Sequence, residues 1–326
     1  MAKGICILSV IIGHLGVAWI NRIVFMYHLP VYFLLAGYFL KKKEKEGVFV
    51  CKKAKRLLVP YTFTCIIISL IAAIKAHIAG LSVRSAIKEW CVAALYGAGD
   101  NWTKPFPIKG IGAIWFLLAM FFALVIVHFF IDKRFYKGII IVIAFVGWFS
   151  FDKTNVWLPL SIQAGMFASL YLLIGYEAKQ EGFGIHNMKL GLMSVLFLIA
   201  VFSIQHFNGF WLVHNYLGNG FVDLFGSLAA SVIIIAVSMY ICQHSTIGKH
   251  ILKFFGENSL TILCAHLIEL NVLKLNPLSD KISSIMKLNN NYSTVLLIFF
   301  KMLFVLVAVL LTNSLKRMLC TMKHGS

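Results

Sequence analysis

The chain is poor in charge and poorer still in acid. Of 326 residues only 13% are charged, and 12 Asp and Glu stand against 30 Lys and Arg. A soluble domain carries about 25% charged residues to cover its surface, so a soluble fold is excluded at the outset. Proline is scarce, six in all, which leaves long stretches without a helix breaker. The seven cysteines (Cys6, Cys51, Cys65, Cys91, Cys242, Cys264 and Cys320) are scattered with no C-x-x-C pair. That spacing suits neither a zinc site nor a disulfide framework, and no metal is expected. No Walker glycine loop, dinucleotide-binding glycine fingerprint or GxSxG elbow occurs, so a soluble nucleotide site and a serine nucleophile lack support. There is no long polar domain, internal repeat or low-complexity tract. The chain reads as one membrane domain over residues 1–326.

What the chain has in abundance is apolar surface. Hydrophobic residues make up 60% and the mean hydropathy is +0.87, more than one soluble core can hide. The pattern predicts an all-α, polytopic transmembrane helix bundle of about ten spans, near 4–20, 24–40, 57–79, 111–131, 138–150, 157–177, 190–206, 223–242, 257–274 and 293–313. The first is read as a retained span rather than a cleaved signal, because His14 interrupts it and a second apolar run follows at once. Segment 85–96 carries Lys88 and Glu89 and reads as an interfacial helix. With the N-terminus inside, the cytoplasmic segments 41–56, 132–137, 178–189, 243–253 and 314–326 hold 18 Lys and Arg, against 10 in the longer outer segments. Cytoplasmic loops of membrane proteins carry this excess, so both termini are placed in the cytoplasm. The net charge of +18 then reflects topology, and no nucleic-acid partner is expected. Trp102, Trp148, Trp157 and Trp211 fall near the proposed outer ends, where amphipathic rings favour the membrane interface.

A titratable group within an apolar span costs ~2.5 kcal/mol or more at mid-helix and asks for a reason. Lys3 and His14 are eleven residues apart, about 20° past three full turns, so they share a helix face roughly 16 Å apart. Gly13 and Gly16 flank His14 and permit close approach of a helix or ligand. His28 opens the second span beside Pro30, toward the outer half of the first helix. An imidazole exchanges protons near neutral pH, so catalysis or substrate contact stands beside a simple satisfied histidine. His266 and Glu269 sit on adjacent turns of one face. The carboxylate either orients the ring for chemistry or the two buried groups satisfy each other, the reading favoured here. His77, His128, His186, His206, His214, His244, His250 and His324 are read as solvated surface. Lys52, Lys53, Lys55 and Arg56 precede the third span as a topology-setting patch or a clamp for a phosphorylated ligand.

Five segments together resemble one family, the acyltransferase 3 group of bacterial integral-membrane O-acyltransferases. AKGICILSVIIGH resembles its first-helix signature of a basic residue, ten residues and a His, met by Lys3 and His14. MYHLPVYFLLAGYFLKK resembles the second-helix pattern, with Ala36 where a Ser is common. KRLLVPY, AIWFLLAMF and FGENSLTILCAH resemble three further segments, in order. Relatives usually carry several residues, often with an Asp, before the basic one, whereas Met1 and Ala2 alone precede Lys3; a truncated or misassigned start is left open. The opening looks most like the polysaccharide and fucose O-acetyltransferase branch.

The resemblance implies transfer of an acyl group, usually acetyl, from cytoplasmic acyl-coenzyme A to a hydroxyl of a cell-envelope glycan or lipid-linked sugar, at the bacterial inner membrane. Its essential pair maps to His14 and Lys3. The expected arrangement puts acyl-coenzyme A phosphates near Lys52, Lys53, Lys55 and Arg56, and the acceptor near His28 and Trp115, with His266 and Glu269 in support. His14 acts as general base or through a transient acyl-histidine. Acyl-coenzyme A is a co-substrate; no permanently bound cofactor is expected, membrane lipid surrounds the protein, and homo-oligomerisation is left open. The rival class is a transporter or flippase for a glycan or anion, which intramembrane His and Lys suit equally. Against it, the chain lacks the paired glycine-broken spans of inverted-repeat carriers.

Overall fold

The computed structural model describes residues 1–41, 44–184, 188–286 and 290–324. Lys42, Lys43 and His186, and the side chains of Cys320 and His324, lie outside the described residues. The expected all-α bundle is there. Its helices are α1 (Ala2–Gly13), α2 (Ala18–Val24), α3 (His28–Tyr38), α4 (Glu46–Ile78), α5 (Val83–Tyr96), α6 (Trp115–Phe130), α7 (Tyr136–Thr154), α8 (Ile162–Gln180), α9 (Leu190–Gln205), α10 (Phe221–His244), α11 (Thr246–Glu257), α12 (Ser259–Ile268), α13 (Asn276–Ile285) and α14 (Asn290–His324). A two-residue hairpin pairs β1 (Phe210–Trp211) with β2 (Tyr216–Leu217). Helices dominate because in hydrocarbon each backbone amide must find its partner within its own segment.

Among the described residues, six stretches can cross a membrane by length and composition: Ala18–Tyr38, Glu46–Ile78, Gly112–Phe130, Pro159–Gln180, Phe221–His244 and Tyr292–Leu315. A seventh forms if α11 and α12 with its extension to Leu273, bent by 64°, count as one. The expected spans at 138–150 and 190–206 are helical, and that at 4–20 is helical in part, yet they do not meet that test on their own. Two boundaries are corrected. The first apolar run is not one helix to residue 20: it stops at Gly13, and Gly16 turns the chain with φ +76°, a conformation only glycine adopts without steric cost. The third span starts eleven residues before 57, because α4 absorbs the whole basic segment into its first turns.

The bundle is built around α8, which packs on α3, α6 and α7 and buries Phe167, Tyr171 and Leu172 almost completely. Outward faces carry exposed Phe197 and Leu198 on α9 and Phe299 and Leu310 on α14, apolar surface that lipid can cover and water cannot. Trp148 and Trp157 are buried, and Trp157 packs with Trp102 and Phe151. Trp211 is 40% exposed.

Helices α3 and α8 cross where Gly37 faces the carbonyl of Leu172 and Gly175 faces the carbonyl of Leu34. A methyl group at either position drives into opposing backbone, which cannot rotate aside. Gly37→Ala or Gly175→Ala is therefore expected to lower stability by about 1–3 kcal/mol, read as a lower thermal midpoint in detergent. An unchanged midpoint in both variants contradicts the crossing.

Candidate active site

The two ends of the bundle differ in chemistry. At one end the first turn of α1 lies within electrostatic reach of the basic start of α4. Lys3 is half-buried and lies within electrostatic reach of Arg56 and Lys53. Its carbonyl accepts a hydrogen bond from Tyr32 Oη at 3.0 Å, and α11 backs it through the close approach of Gly4 to the Leu252 carbonyl. Lys52 is turned away to Glu44 at 2.7 Å, and its ammonium holds that exposed carboxyl below its usual pKa. Lys55 and Arg56 are exposed. Lys53 Nζ lies 5.0 Å over the ring of Phe49, which stacks on His128 at 3.7 Å. His128 is thus buried rather than solvated as expected: its Nε2 donates to the Glu44 carbonyl at 3.1 Å. Three cations converge on Lys3, Lys53 and Arg56, a cost that an anion with several charges relieves.

At the other end the loops 97–114, 155–161 and 206–220 are laced together, with Trp102 Nε1 donating to the Asn155 carbonyl at 2.9 Å and Ser161 Oγ to the Gly97 carbonyl at 2.6 Å. His14 closes α1 at this end. Its Nδ1 is 2.7 Å from the Val10 carbonyl. A carbonyl only accepts, so Nδ1 carries the proton and a neutral ring keeps its lone pair on Nε2. That atom makes no hydrogen bond among the described residues. His28 is fixed the same way, with Nδ1 2.6 Å from the Val24 carbonyl, and it lies within electrostatic reach of His14. The turn holds both, since Gly13 packs directly on Val24 and Phe25. His28 is buried, whereas His14 is half-buried. Trp115 is buried beneath Gly99, and Asp100 next to it lies within electrostatic reach of His14.

The structure brings together two residues that spacing could not pair. The rings of His14 and His266 meet edge to face, with centroids 5.3 Å apart. Behind His266 stands Glu269, with Oε2 3.5 Å from Nδ1, and behind Glu269 stands Lys301 of α14, with Nζ 2.8 and 3.0 Å from the two carboxylate oxygens. His266, Glu269 and Lys301 are no more than 1% exposed. The His266–Glu269 contact expected from their spacing is present at 3.5 Å, but the carboxylate is also engaged by Lys301 and by the Leu275 amide at 3.1 Å, and among the described residues neither buried His266 nitrogen reaches hydrogen-bond geometry. Lys301 has no part in the residues singled out by spacing, although a lone lysine within VLLIFFKMLFVLV is a signal in itself. The chain after His266 widens into a π-helical turn, Glu269–Leu273, whose Val272 carbonyl is taken by Lys75 Nζ at 2.5 Å. Such turns swing a side chain out of regular helical register.

The remaining histidines divide. His77, His206, His244 and His250 are exposed as expected. His214 is not: it is enclosed by Trp102, Phe151 and Trp157 and faces Asp100 at 3.0 Å. Among the described residues no group of three or more His, Cys, Asp or Glu is placed to hold a metal.

No curated protein and no solved structure matches the chain significantly. A family model described as an acyltransferase domain matches residues 1–314. That match takes in α1, both histidine turns, the basic start of α4 and the buried Lys301, so the chain belongs to the acyltransferase 3 family and is a multi-pass membrane acyltransferase.

Proposed function

We propose that the protein transfers an acyl group, most simply acetyl, from cytoplasmic acyl-coenzyme A to a hydroxyl of a cell-envelope glycan or lipid-linked sugar, in a bacterial inner membrane with both chain ends in the cytoplasm. The observation that carries this reading is the polarity of α1. It holds a cationic cluster at one end and an uncommitted imidazole Nε2 at the other. Twelve helical residues span about 18 Å, less than the ~30 Å of hydrocarbon, so a donor anchored at Lys3 has only part of the bilayer to cross.

In this reading Lys3, Lys53 and Arg56 hold the phosphates, with Lys52 and Lys55 at the rim, and the thioester extends along α1. His14 Nε2 removes the proton of the acceptor hydroxyl as its oxygen attacks the thioester carbonyl. The tetrahedral intermediate then collapses; the C–S bond breaks, and the imidazolium returns the proton to the leaving thiolate. His266 braces the His14 ring from its edge, and the Glu269–Lys301 pair holds His266. His28 and Trp115 support the acceptor side.

Purified protein given radiolabelled acetyl-coenzyme A and an envelope extract is expected to place label in glycan. Movement of unmodified solute without label transfer would instead make it a carrier. Lys53→Ala and Arg56→Ala are expected to raise KM for acetyl-coenzyme A about tenfold each, a loss near 1.4 kcal/mol of charged contact, with kcat little changed. A fall in kcat alone contradicts a donor-binding role.

A further inference from the structure

We propose that a cleft lined by Trp102, Asp152, Asn155, Trp211, Asn215 and Tyr216 is a saccharide-binding subsite. It has a volume of about 230 Å³, below the range of roughly 300–1,000 Å³ for drug-sized sites, which suits a single sugar ring. One wall is aromatic. Trp211 and Tyr216 face each other across the β1–β2 hairpin with ring centroids 5.5 Å apart and planes at 29°. Each is 40% exposed. Their electron-rich faces attract the weakly positive C–H surface of a pyranose.

The other wall is polar and part of it is unsatisfied. Asn215 is 2% exposed; its Nδ2 donates to the Gly147 carbonyl at 2.8 Å, but among the described residues its buried Oδ1 has no hydrogen bond. Its neighbour His214, also lining the cleft, has a buried Nε2 that lies 3.0 Å from Asp100 Oδ2 without hydrogen-bond geometry. Asn215 holds its place through a left-handed turn at φ +53°, which asparagine tolerates better than most residues. A buried acceptor is retained against its desolvation cost when something donates to it, and a sugar hydroxyl is such a donor. Amides and the Asp152 carboxylate beside the rings also argue against a lipid anchor, because hydrocarbon leaves them unpaired. The cleft is tied to His14 by Asp100, which contacts His214 on one side and lies within electrostatic reach of His14 on the other. Assigning the bound sugar as acceptor rests on the glycan acyl-transfer reading; binding itself does not.

The test uses the full chain in lipid nanodiscs on an array of di- to hexasaccharides of hexoses, deoxyhexoses, N-acetylhexosamines and uronic acids, alongside label transfer from acetyl-coenzyme A. The wild type is expected to bind at least one class. Trp211→Ala and Tyr216→Ala each weaken that binding about tenfold, while Tyr216→Phe keeps it and acetyl-coenzyme A binding is unchanged. Both rings are partly exposed, so the fold survives their truncation, checked by the thermal midpoint. A wild type that binds no saccharide, or variants that bind as well as it does, overturns the subsite; the latter is the result a lipid anchor gives. Trp211-dependent binding without any label transfer leaves the subsite standing and removes the transfer reading. Label transfer with an acceptor KM unmoved by Trp211→Ala does the reverse.

Discussion

His14→Ala is expected to abolish acyl transfer, by roughly 10²–10⁴-fold if only proton transfer is lost, while the protein still inserts and folds. The ring is half-buried, and among the described residues it makes one hydrogen bond to its own helix and one ring contact, edge-on with His266. Neither anchors the bundle: α1 is held by α11, α3 and α12, chiefly through the glycine contact at Leu252. What the substitution removes is the Nε2 lone pair. Transfer of label from acetyl-coenzyme A, measured beside membrane yield and thermal midpoint, separates the two effects. Activity within a few fold of wild type would remove His14 from the reaction, and with it the direction of transfer proposed along α1.

Lys301→Met is expected to destabilise the protein by roughly 3–5 kcal/mol, because it strands the Glu269 carboxylate in the interior. The pair is 1% exposed with both oxygens engaged, so water cannot take over. Glu269→Gln combined with Lys301→Met removes both charges and is expected to recover most of that loss, since neutral replacements of a buried pair cost little. Even folded, the double variant is expected to transfer more slowly, as His266 loses the carboxylate 3.5 Å from its Nδ1 and the His14 ring loses its brace. Unfolding in detergent and label transfer at a temperature below both midpoints measure the two effects. A single variant as stable as wild type would show that Glu269 is not charged in the fold.

Much of this was legible in residue order because it is local chemistry. Composition alone required a membrane bundle, since 13% charge cannot cover a soluble surface. The eleven-residue interval between Lys3 and His14 placed them at two ends of one helical run, a consequence of 1.5 Å rise per residue. The basic segment was equally plain, though its helix begins at Glu46 rather than at Leu57, because an apolar run marks where lipid begins and not where hydrogen bonding does. The break after Gly13 was missed for the same reason: hydropathy passes unchanged through a turn that Gly16 makes with positive φ.

What residue order alone determined about this protein is its class of solvent, its helices and the cationic and imidazole ends of α1, all set by interactions within a few turns of chain. Only the tertiary structure decided which polar groups meet. Lys301 is 32 residues from Glu269, His266 lies on a separate helix from His14, and Asn215 faces a cleft built from the end of α7 and three loops. Their pairing depends on how helices cross, which is settled by the fit of glycine faces such as Gly37 and Gly175 against opposing backbone. Packing of that kind is a property of surfaces in contact, and one-dimensional spacing does not contain it.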